Sequence, residues 1–410
     1  MASGPSPSPP LHHTTSRTTH RTQPPQPWHA HLTLDLLLRV LSNTLFHPFI
    51  SALLPLCLRA LAAPYTSPSF ITTSAFAICV SLYWILEPIN RRIAYGASRK
   101  INWEDEVVVI TGGLGGLGGC LAEIFALRGV EVAVLDIAVA RTKEAKKDEQ
   151  DVSDGEEKEG VTYYHCDIGD YEQAKTVWAR VMEDLGTPTV LINNAAIVNG
   201  KPFLELEREE LERLLYVNTM SHFQLAKPFL ADLLSTGNGG TLVTVSSVLA
   251  HQGAANLSVY AASKAAVTTC HNCLSAELAG FAPQIKTILV APGQLDTQLF
   301  GNVKLRGFLR NFLAPVVGAG EVAVKIVEMV DRGDGGVVSL PAYARWIAWM
   351  AVLPVGVQRV LREWAGVDSQ FATLSREEDG NAAEKTGEKN ETKKDKFGVV
   401  LLREQPLRKE

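Results

Sequence analysis

Residues 107–136 constrain the fold of this chain more than any other stretch. A β-branched run, Val107–Ile110, is followed at once by the glycine-rich sequence TGGLGGLG at residues 111–118. Apolar residues at helical spacing then continue to Gly129, and a second apolar run begins at Val130 and ends in Asp136. Continuous apolar runs are typical of strands buried on both faces of a parallel sheet. The stretch therefore predicts a strand, a glycine turn at a helix N-terminus and a second strand.

The turn has the chemistry of an anion site. Glycines let the backbone approach a pyrophosphate, and the free N–H groups and dipole of the helix favour the negative charge. Asp136 is placed to bind ribose hydroxyls and to repel a 2′-phosphate. The turn contains no Lys or Arg, and the first one after Asp136 is Arg141. The pattern predicts NAD as cofactor, with NADP disfavoured; a glycine turn without a ligand is the alternative that this stretch alone leaves open.

Length and composition limit the class of protein. The 410 residues allow one large α/β domain with appended segments, and a net charge of −5 gives no basic field for nucleic acid. Six scattered cysteines do not form a secreted disulfide pattern, so a reducing compartment is expected. Cys270 and Cys273 are spaced as C-x-x-C, but they fall within a predicted helix and no second pair accompanies them. We interpret them as packing residues and predict no metal site.

Composition divides the chain into six predicted regions. They are a disordered Pro/Ser/Thr-rich start (1–30), a hydrophobic anchor (31–88), a basic juncture (89–105), a dinucleotide-binding domain (106–340), an apolar extension (341–374) and a charged, mostly disordered tail (375–410). Residues 140–160 carry charges of both signs with few apolar residues, which predicts a solvated loop or a frayed helix.

The hydrophobic region contains two different segments. Ser69–Leu86 carries no charge over a bilayer-spanning length, which favours a membrane span over a helix packed on the domain. Leu32–Ala63 is interrupted by charged residues and prolines, so it is either an interfacial helix or one arm of a hairpin. Arg91, Arg92, Arg99 and Lys100 then predict a cytosolic catalytic domain. A hairpin would leave both chain ends cytosolic, whereas a single span would have a lumenal N-terminus.

Strands and helices alternate through the rest of the domain. Further strands are predicted at Val161–Cys166, Thr189–Ile192 and Thr241–Val245, and a long helix at Leu206–Leu234. Asp167 follows the third strand, where it either contacts an adenine or caps the helix that begins near Tyr171. This alternation predicts an α/β fold with a Rossmann-type, doubly wound parallel sheet.

Several motifs in a fixed order resemble those of the short-chain dehydrogenase/reductase family. They are the TGxxxGxG turn at Thr111, Asn193-Asn194-Ala195-Ala196 with Ala in place of the family's last Gly, Ser246-Ser247, Tyr260-x-x-x-Lys264 and Pro292-Gly293 with Thr297. The resemblance spans roughly residues 106–340. It implies a set of cofactor contacts: Thr111, Gly112, Gly113, Leu114, Gly116, Leu117, Gly118, Asp136, Asp167, Ile168, Asn194, Tyr260, Lys264, Pro292, Gly293, Leu295 and Thr297.

The catalytic roles follow partly from residue types. Tyr260 and Lys264 are four residues apart, so they share a helix face, and an ammonium near a phenol favours the phenolate. Ser247 is placed to bind the substrate oxygen. The resemblance adds Asn218, which in the family holds a water that links Lys264 to solvent. Hydride is expected to pass between the substrate carbon and the nicotinamide.

The anchor and the juncture resemble the membrane-associated branch that contains retinol and hydroxysteroid dehydrogenases. That resemblance implies an endoplasmic reticulum membrane or lipid-droplet location, a lipophilic alcohol or ketone as substrate, and pairing of two copies. Expected pocket regions are Val198–Phe203, Leu249–Leu257 and Leu295–Phe312. The apolar stretch from Trp346 to Pro354 either touches the membrane or completes the pocket. The alternative function is a non-enzymatic membrane or lipid-droplet scaffold that keeps the fold.

Overall fold

The computed structural model describes residues 32–139, 154–155, 157–158, 160–297, 299 and 308–368. The expectations for residues 1–30 and 375–410, and for Arg141 within the charged insertion, lie outside the described residues. The helices are α1 Leu34–Asn43, α2 Pro48–Ala60, α3 Pro68–Tyr95, α4 Gly116–Ala126, α5 Tyr171–Leu185, α6 Arg208–Leu215, α7 Ser221–Thr236, α8 Ser258–Phe281, α9 Phe308–Leu313, α10 Ala319–Asp331 and α11 Val355–Ala365. The strands are β1 Val107–Thr111, β2 Glu131–Asp136, β3 Glu157–Lys158, β4 Val161–His165, β5 Val190–Asn193, β6 Gly240–Val245, β7 Ile285–Val290 and β8 Gly336–Val338.

The strands form one sheet in the order β3-β4-β2-β1-β5-β6-β7-β8. Seven strands are parallel, and β3 pairs antiparallel with β4 at the edge. The apolar runs of β1, β5, β6 and β7 are buried throughout, because helices cover both faces of the sheet. The predicted doubly wound fold is confirmed. The strand order reverses beside β1, and in such sheets ligands bind at the carboxyl ends of the strands at this point.

Two cores lie on opposite faces of the sheet. Leu121 and Phe125 of α4 pack with Ile326 of α10 on one face. On the other face, Trp178 of α5 and Phe229 of α7 meet edge to face at 6.3 Å between ring centroids. Both cores are formed by apolar stripes at helical spacing, so they hold the strand ends in fixed positions around the switch point.

Two predictions about local structure were wrong. Residues 206–234 were expected to form one helix, but α6 and α7 are separated by a π-helical turn, Tyr216–Met220. The charged insertion was expected to be a loop or frayed helix, but Glu157 and Lys158 pair with β4 as an edge strand. A charged edge strand agrees with the need to keep sheet edges from pairing with other chains. Both features are only a few residues long, so hydrophobic periodicity did not reveal them.

The juncture between α3 and β1 is fixed to the domain by charged groups. Arg99 is 7% exposed and forms a two-pronged ion pair with Glu106 at 2.7 and 2.9 Å. Arg91 reaches Asp334 at 3.3 Å. Arg91 and Arg99 are two of the four cations from which a cytosolic catalytic domain was predicted. Both also form ion pairs that fix the juncture to the domain.

In the described part of the chain, α3 is the one helix that is by itself long and apolar enough to cross a membrane. The bent pair of helices α1 and α2 would be a second such segment if the two helices were counted together as one span. Only 11% of the most apolar part of α3 is buried, so α3 is not a core helix of the domain.

Candidate active site

The glycine turn lies between β1 and α4 at the carboxyl edge of the sheet. Gly115 precedes α4 and offers no side chain to cap the first turn, so the backbone N–H groups of that turn remain available to an anion. Gly112 and Gly116 have φ angles of +67° and +57°, which favour glycine. A Cβ on Gly118 would lie 2.1 Å from the Gly112 carbonyl oxygen. The cradle therefore has the backbone shape that a dinucleotide pyrophosphate requires.

Three predicted cofactor residues hold this turn in place. The Thr111 hydroxyl accepts hydrogen bonds from the backbone N–H groups of Asn194 and Ala195, both at 3.0 Å. The Asn194 amide in turn donates to the carbonyls of Thr111 and Gly112 at 2.9 and 3.0 Å. Gly113 packs so closely on Val134 that a Cβ would lie 2.8 Å from its methyl groups. Thr111, Gly113 and Asn194 therefore join the ends of β1, β2 and β5.

The two predicted adenosine carboxylates have protein partners. Asp136 accepts hydrogen bonds from the backbone of Leu114 at 3.1 Å and of Ala138 at 3.0 Å. Asp167 forms an ion pair with Arg213 at 2.8 Å and accepts from Gly169 at 2.9 Å. The alternative role of Asp167 as a helix cap is wrong, because Asp170 caps α5.

Tyr260 and Lys264 share the buried face of α8, beside Ser247. Tyr260 is 3% exposed and is hydrogen-bonded to the side chain of Ser247. The Lys264 amine is 1% exposed and lies 5.8 Å from the centre of the Tyr260 ring. It donates to the Val245 carbonyl at 2.9 Å. The structure therefore brings the three residues together at the end of β6.

The electrostatics differ from the sequence expectation. Burial raises the pKa of Tyr260, and the hydrogen bond from Ser247 lowers it by less. Burial also lowers the pKa of Lys264 to about 8. Proximity to an ammonium was expected to lower the pKa of the phenol, but the removal of both groups from water outweighs it in the protein alone.

Asn218 lies in the π-helical turn and is fully buried. Its amide oxygen accepts from the Ile197 N–H at 2.8 Å, and its amide nitrogen donates to the Ile197 carbonyl at 2.9 Å and to the Ser263 hydroxyl at 3.2 Å. The turn thus binds the loop after β5 to α8, one residue before Lys264. π-Turns occur frequently at functional sites.

Two cavities meet beside Tyr260. The first, of about 690 Å³, lies over the glycine turn and is lined by many of the predicted cofactor residues: Gly112, Gly116, Leu117, Asp136, Asp167, Ile168, Asn194, Tyr260, Lys264, Pro292, Gly293, Leu295 and Thr297. The other four (Thr111, Gly113, Leu114 and Gly118) do not line it. A second cavity of about 390 Å³ is mostly apolar. Ser247 and Gly293 line both cavities.

The second cavity is enclosed largely by the C-terminal extension. Trp346, Ile347 and Met350 line it, as do Leu361 and Trp364 of α11. Of the expected pocket regions, 249–257 and 295–312 contribute Leu249, Gln252 and Arg310, while 198–203 contributes no described lining residue. Periodicity alone left this open, because the extension lines the cavity together with residues about one hundred positions earlier in the chain.

Sequence reasoning also missed three charged or titratable residues near the site. Arg213 lines the first cavity and pairs with Asp167. His222 is buried near Lys264 and His271, and burial lowers the pKa of His222 to about 3 and that of His271 to about 4. A backbone hydrogen bond with Ala195 raises the pKa of His222, but by less than burial lowers it. His271 follows Lys264 by seven residues, a helical spacing that was available as a signal.

Several known proteins resemble this chain in sequence. A profile described as short chain dehydrogenase matches residues 106–306. Retinol dehydrogenase 10 of Homo sapiens is 32% identical over 254 residues, covering 57% of this chain and 71% of that protein. Short-chain dehydrogenase/reductase family 16C member 6 of Bos taurus is 30% identical over 311 residues, covering 74% and 94%. A short chain dehydrogenase from Burkholderia cenocepacia J2315, solved in complex with NADP, is 27% identical with a TM-score of 0.50, covering 65% of this chain and 99% of that one.

Proposed function

The chain belongs to the short-chain dehydrogenase family, in a branch with retinol dehydrogenase-like relatives, and is an oxidoreductase of that family. From this premise we propose that it is a membrane-anchored dehydrogenase that transfers hydride between NAD(H) and a lipophilic alcohol or ketone. The observation that carries the proposal is the meeting of the two cavities at Ser247 and Gly293, next to Tyr260. A dinucleotide in the larger cavity and an apolar substrate in the smaller one would meet there.

The residues of the first cavity fit a nicotinamide dinucleotide. The bare N-terminus of α4 suits the pyrophosphate, and a side chain at Gly118 would fill the space the backbone needs. Asp136 would bind the adenosine ribose, and its charge favours NAD over NADP. When bound, the cofactor supplies the hydride acceptor or donor.

The protein side of the mechanism is proton transfer at one oxygen. Tyr260 is protonated in the protein alone, so its hydroxyl is ready to donate to a substrate carbonyl in the reductive direction. Ser247 would hold the same oxygen and stabilise charge that develops on it. In the oxidative direction, Lys264 would stabilise the phenolate, and Asn218 positions the loop and helix on either side of the lysine. We also propose that Asn218 holds a water molecule that links Lys264 to solvent, as the resemblance implies.

The second cavity supports an apolar substrate. Its walls include Leu313, Trp346 and Met350, and the charged residues that line it are Arg310 and Arg362. Retinoids, steroids and long-chain alcohols all fit this description, since hydrophobic pockets discriminate weakly between similar shapes. Because the apolar helix α3 is exposed, we place the protein at the endoplasmic reticulum membrane or a lipid droplet, with the catalytic domain cytosolic. Pairing of two copies through α7 and α8 belongs to the same proposal.

The test is NAD or NADP reduction by the detergent-solubilised protein with sterols, retinoids and long-chain alcohols. Wild type should reduce NAD with one of these classes. Tyr260→Phe should lose about 10²- to 10⁴-fold in turnover, the usual contribution of an acid/base group, while binding NAD as before. Tyr171→Phe, at an exposed tyrosine on α5, is the matched control and should remain active.

Undiminished turnover in Tyr260→Phe would reject the mechanism. NAD binding without turnover on any of the three substrate classes would favour the non-enzymatic scaffold. NADP reduction in preference to NAD would reject the role given to Asp136.

A further inference from the structure

The helices α2 and α3 form a hairpin whose outer surface is apolar and exposed. The buried side chains of the two helices are small or medium-sized: Ser51 of α2, and Ala77 and Val80 of α3. Small residues at such contacts are typical of helix pairs in membranes. The outward side chains include Phe49, Leu56 and Ile78, which are 65%, 61% and 59% exposed. A surface of this kind fits a hydrocarbon phase rather than water.

Both arms of the hairpin begin beside the catalytic domain. On the incoming side, Asp35 of α1 accepts a hydrogen bond from the backbone of Ala342 at 2.7 Å. On the outgoing side, Lys286 donates to the Tyr95 carbonyl at the end of α3, at 3.1 Å. Between them, the Trp84 indole donates to the Phe46 carbonyl at 2.9 Å. The chain therefore enters and leaves the hairpin at the same end, where the domain lies.

The arm α2 is short for a bilayer. Its 13 residues span about 20 Å, whereas the hydrocarbon core is about 30 Å thick. The axis of α1 is bent by 57° from that of α2, so α1 does not extend the arm straight. Leu36, Leu37 and Val40 of α1 are exposed, which gives α1 an apolar face on the side away from the domain. This geometry suits a helix that lies at the surface beside a hairpin that dips into it.

The one charged side chain near the tip of the described hairpin has internal partners. Arg59 donates to the Ala63 carbonyl at 2.6 Å, and its guanidinium lies 3.8 Å from the centre of the Tyr65 ring. Charged groups inside membranes are tolerated when they pair with backbone carbonyls in this way. Arg59 is therefore compatible with a tip that stays within the lipid.

We propose that α2 and α3 insert from the cytosolic side as a one-sided hairpin, with α1 on the surface, into the acyl chains of a single phospholipid leaflet. The residues before α1 and the catalytic domain then lie on the same side. This deepens the proposed function and rests on its membrane anchoring. Of the two topologies left open by the sequence, a single span would carry α1 to the opposite side and break the contact between Asp35 and Ala342.

The first test is glycosylation of the full chain made with microsomes. The sequence has two native acceptor sites, at Asn256 and Asn390. Three variants each keep a single acceptor: one before α1, one in the connection at residues 61–67, and one at Asn390. We expect none to be modified, while the same reporter behind a cleavable signal sequence is modified. Modification before α1 would establish a single span, and modification in the connection would establish a full crossing; either overturns the proposal. A chain that carbonate removes from the membranes would instead contradict the anchoring itself.

The second test is binding of the purified full chain to triolein droplets coated with a phosphatidylcholine monolayer. A hairpin that needs one leaflet should bind them, whereas partition into bilayers alone would overturn the proposal. Leu56→Lys, which puts a charge on the lipid-facing side, should weaken binding by roughly 100-fold. Leu204→Lys, at an exposed leucine of the catalytic domain, is the matched control and should bind as wild type does.

Discussion

The carboxylate of Asp136 accepts a hydrogen bond from the backbone N–H of Leu114, 3.1 Å away. The residue expected to select the adenosine ribose thus also supports the glycine turn, because β2 ends directly beside the turn that follows β1. Its two roles are separable by substitution, since one depends on charge and the other on a hydrogen-bond acceptor.

Asp136→Asn should keep the acceptor for Leu114 and lose the charge. We expect the preference for NAD over NADP to fall by about tenfold or more, because two unit charges about 4 Å apart repel by roughly 1–4 kcal/mol in partly solvated surroundings. Asp136→Ala should lose both roles and weaken both cofactors. Dissociation constants for NAD and NADP by calorimetry measure the effect. An unchanged preference in Asp136→Asn would mean that other groups select the cofactor.

The doubly wound parallel sheet could be predicted from its apolar runs, and so could the grouping of the glycine turn with Asn194 and Ser247, because each follows such a run and parallel strands bring these ends together. The partners of Asp136 and Asp167 could not, because they depend on side-chain directions in loops. The π-helical turn around Asn218 covers only five residues, which is too short for apolar spacing to reveal.

For the closure of the apolar cavity, the sequence left two alternatives open. Trp346 and Trp364 are separated from Ser247 by about one hundred residues, and an apolar stretch of this kind is consistent with either a membrane contact or a pocket wall. In the structure the same segment does line the pocket, while Trp349 remains 70% exposed. Only the tertiary contacts determine which of these side chains line the cavity and which remain exposed.

Gly118 and Gly119 provide a matched pair in the first turn of α4. A Cβ at Gly118 would overlap the Gly112 carbonyl, whereas one at Gly119 would meet its nearest atom at 3.6 Å. Gly118→Ala should therefore lose dinucleotide binding and destabilise the protein by roughly 1–3 kcal/mol, the usual cost of overpacking. Gly119→Ala should bind normally and gain up to about 1 kcal/mol in helix stability. Equal binding by both variants, measured by protein fluorescence quenching or calorimetry, would contradict the role of the turn.

His222 and His271 should make the protein acid-sensitive. Their pKa values are lowered by burial from 6.5 to about 3 and about 4, so between pH 6.5 and 4 the unfolded chain binds protons that the folded chain does not. Stability contributed by the neutral rings is complete above pH 6.5 and is lost as the pH falls, by up to about 1.4 kcal/mol per pH unit for each ring. Urea unfolding of the solubilised protein at pH 7, 6, 5 and 4.5 measures this slope.

His222→Leu should give a shallower acid slope than wild type, by about one proton. His251→Leu, at a solvent-exposed ring, is the control and should keep the wild-type slope. If His222→Leu and wild type lose stability in parallel, the ring of His222 is not held neutral in the folded protein.

The ion pair between Arg99 and Glu106 should contribute far more to folding than the surface pairs. Both side chains are nearly buried, and Arg99 also donates to the Thr241 hydroxyl at 3.2 Å, so removing one partner leaves the other charge unpaired away from water. Arg99→Met should lower the free energy of unfolding by about 3–5 kcal/mol. Arg128→Met breaks a pair with Asp331 that is about one-third exposed and should lose about 1 kcal/mol or less. If denaturant unfolding finds the two losses equal, the juncture does not hold the anchor on the domain through Arg99.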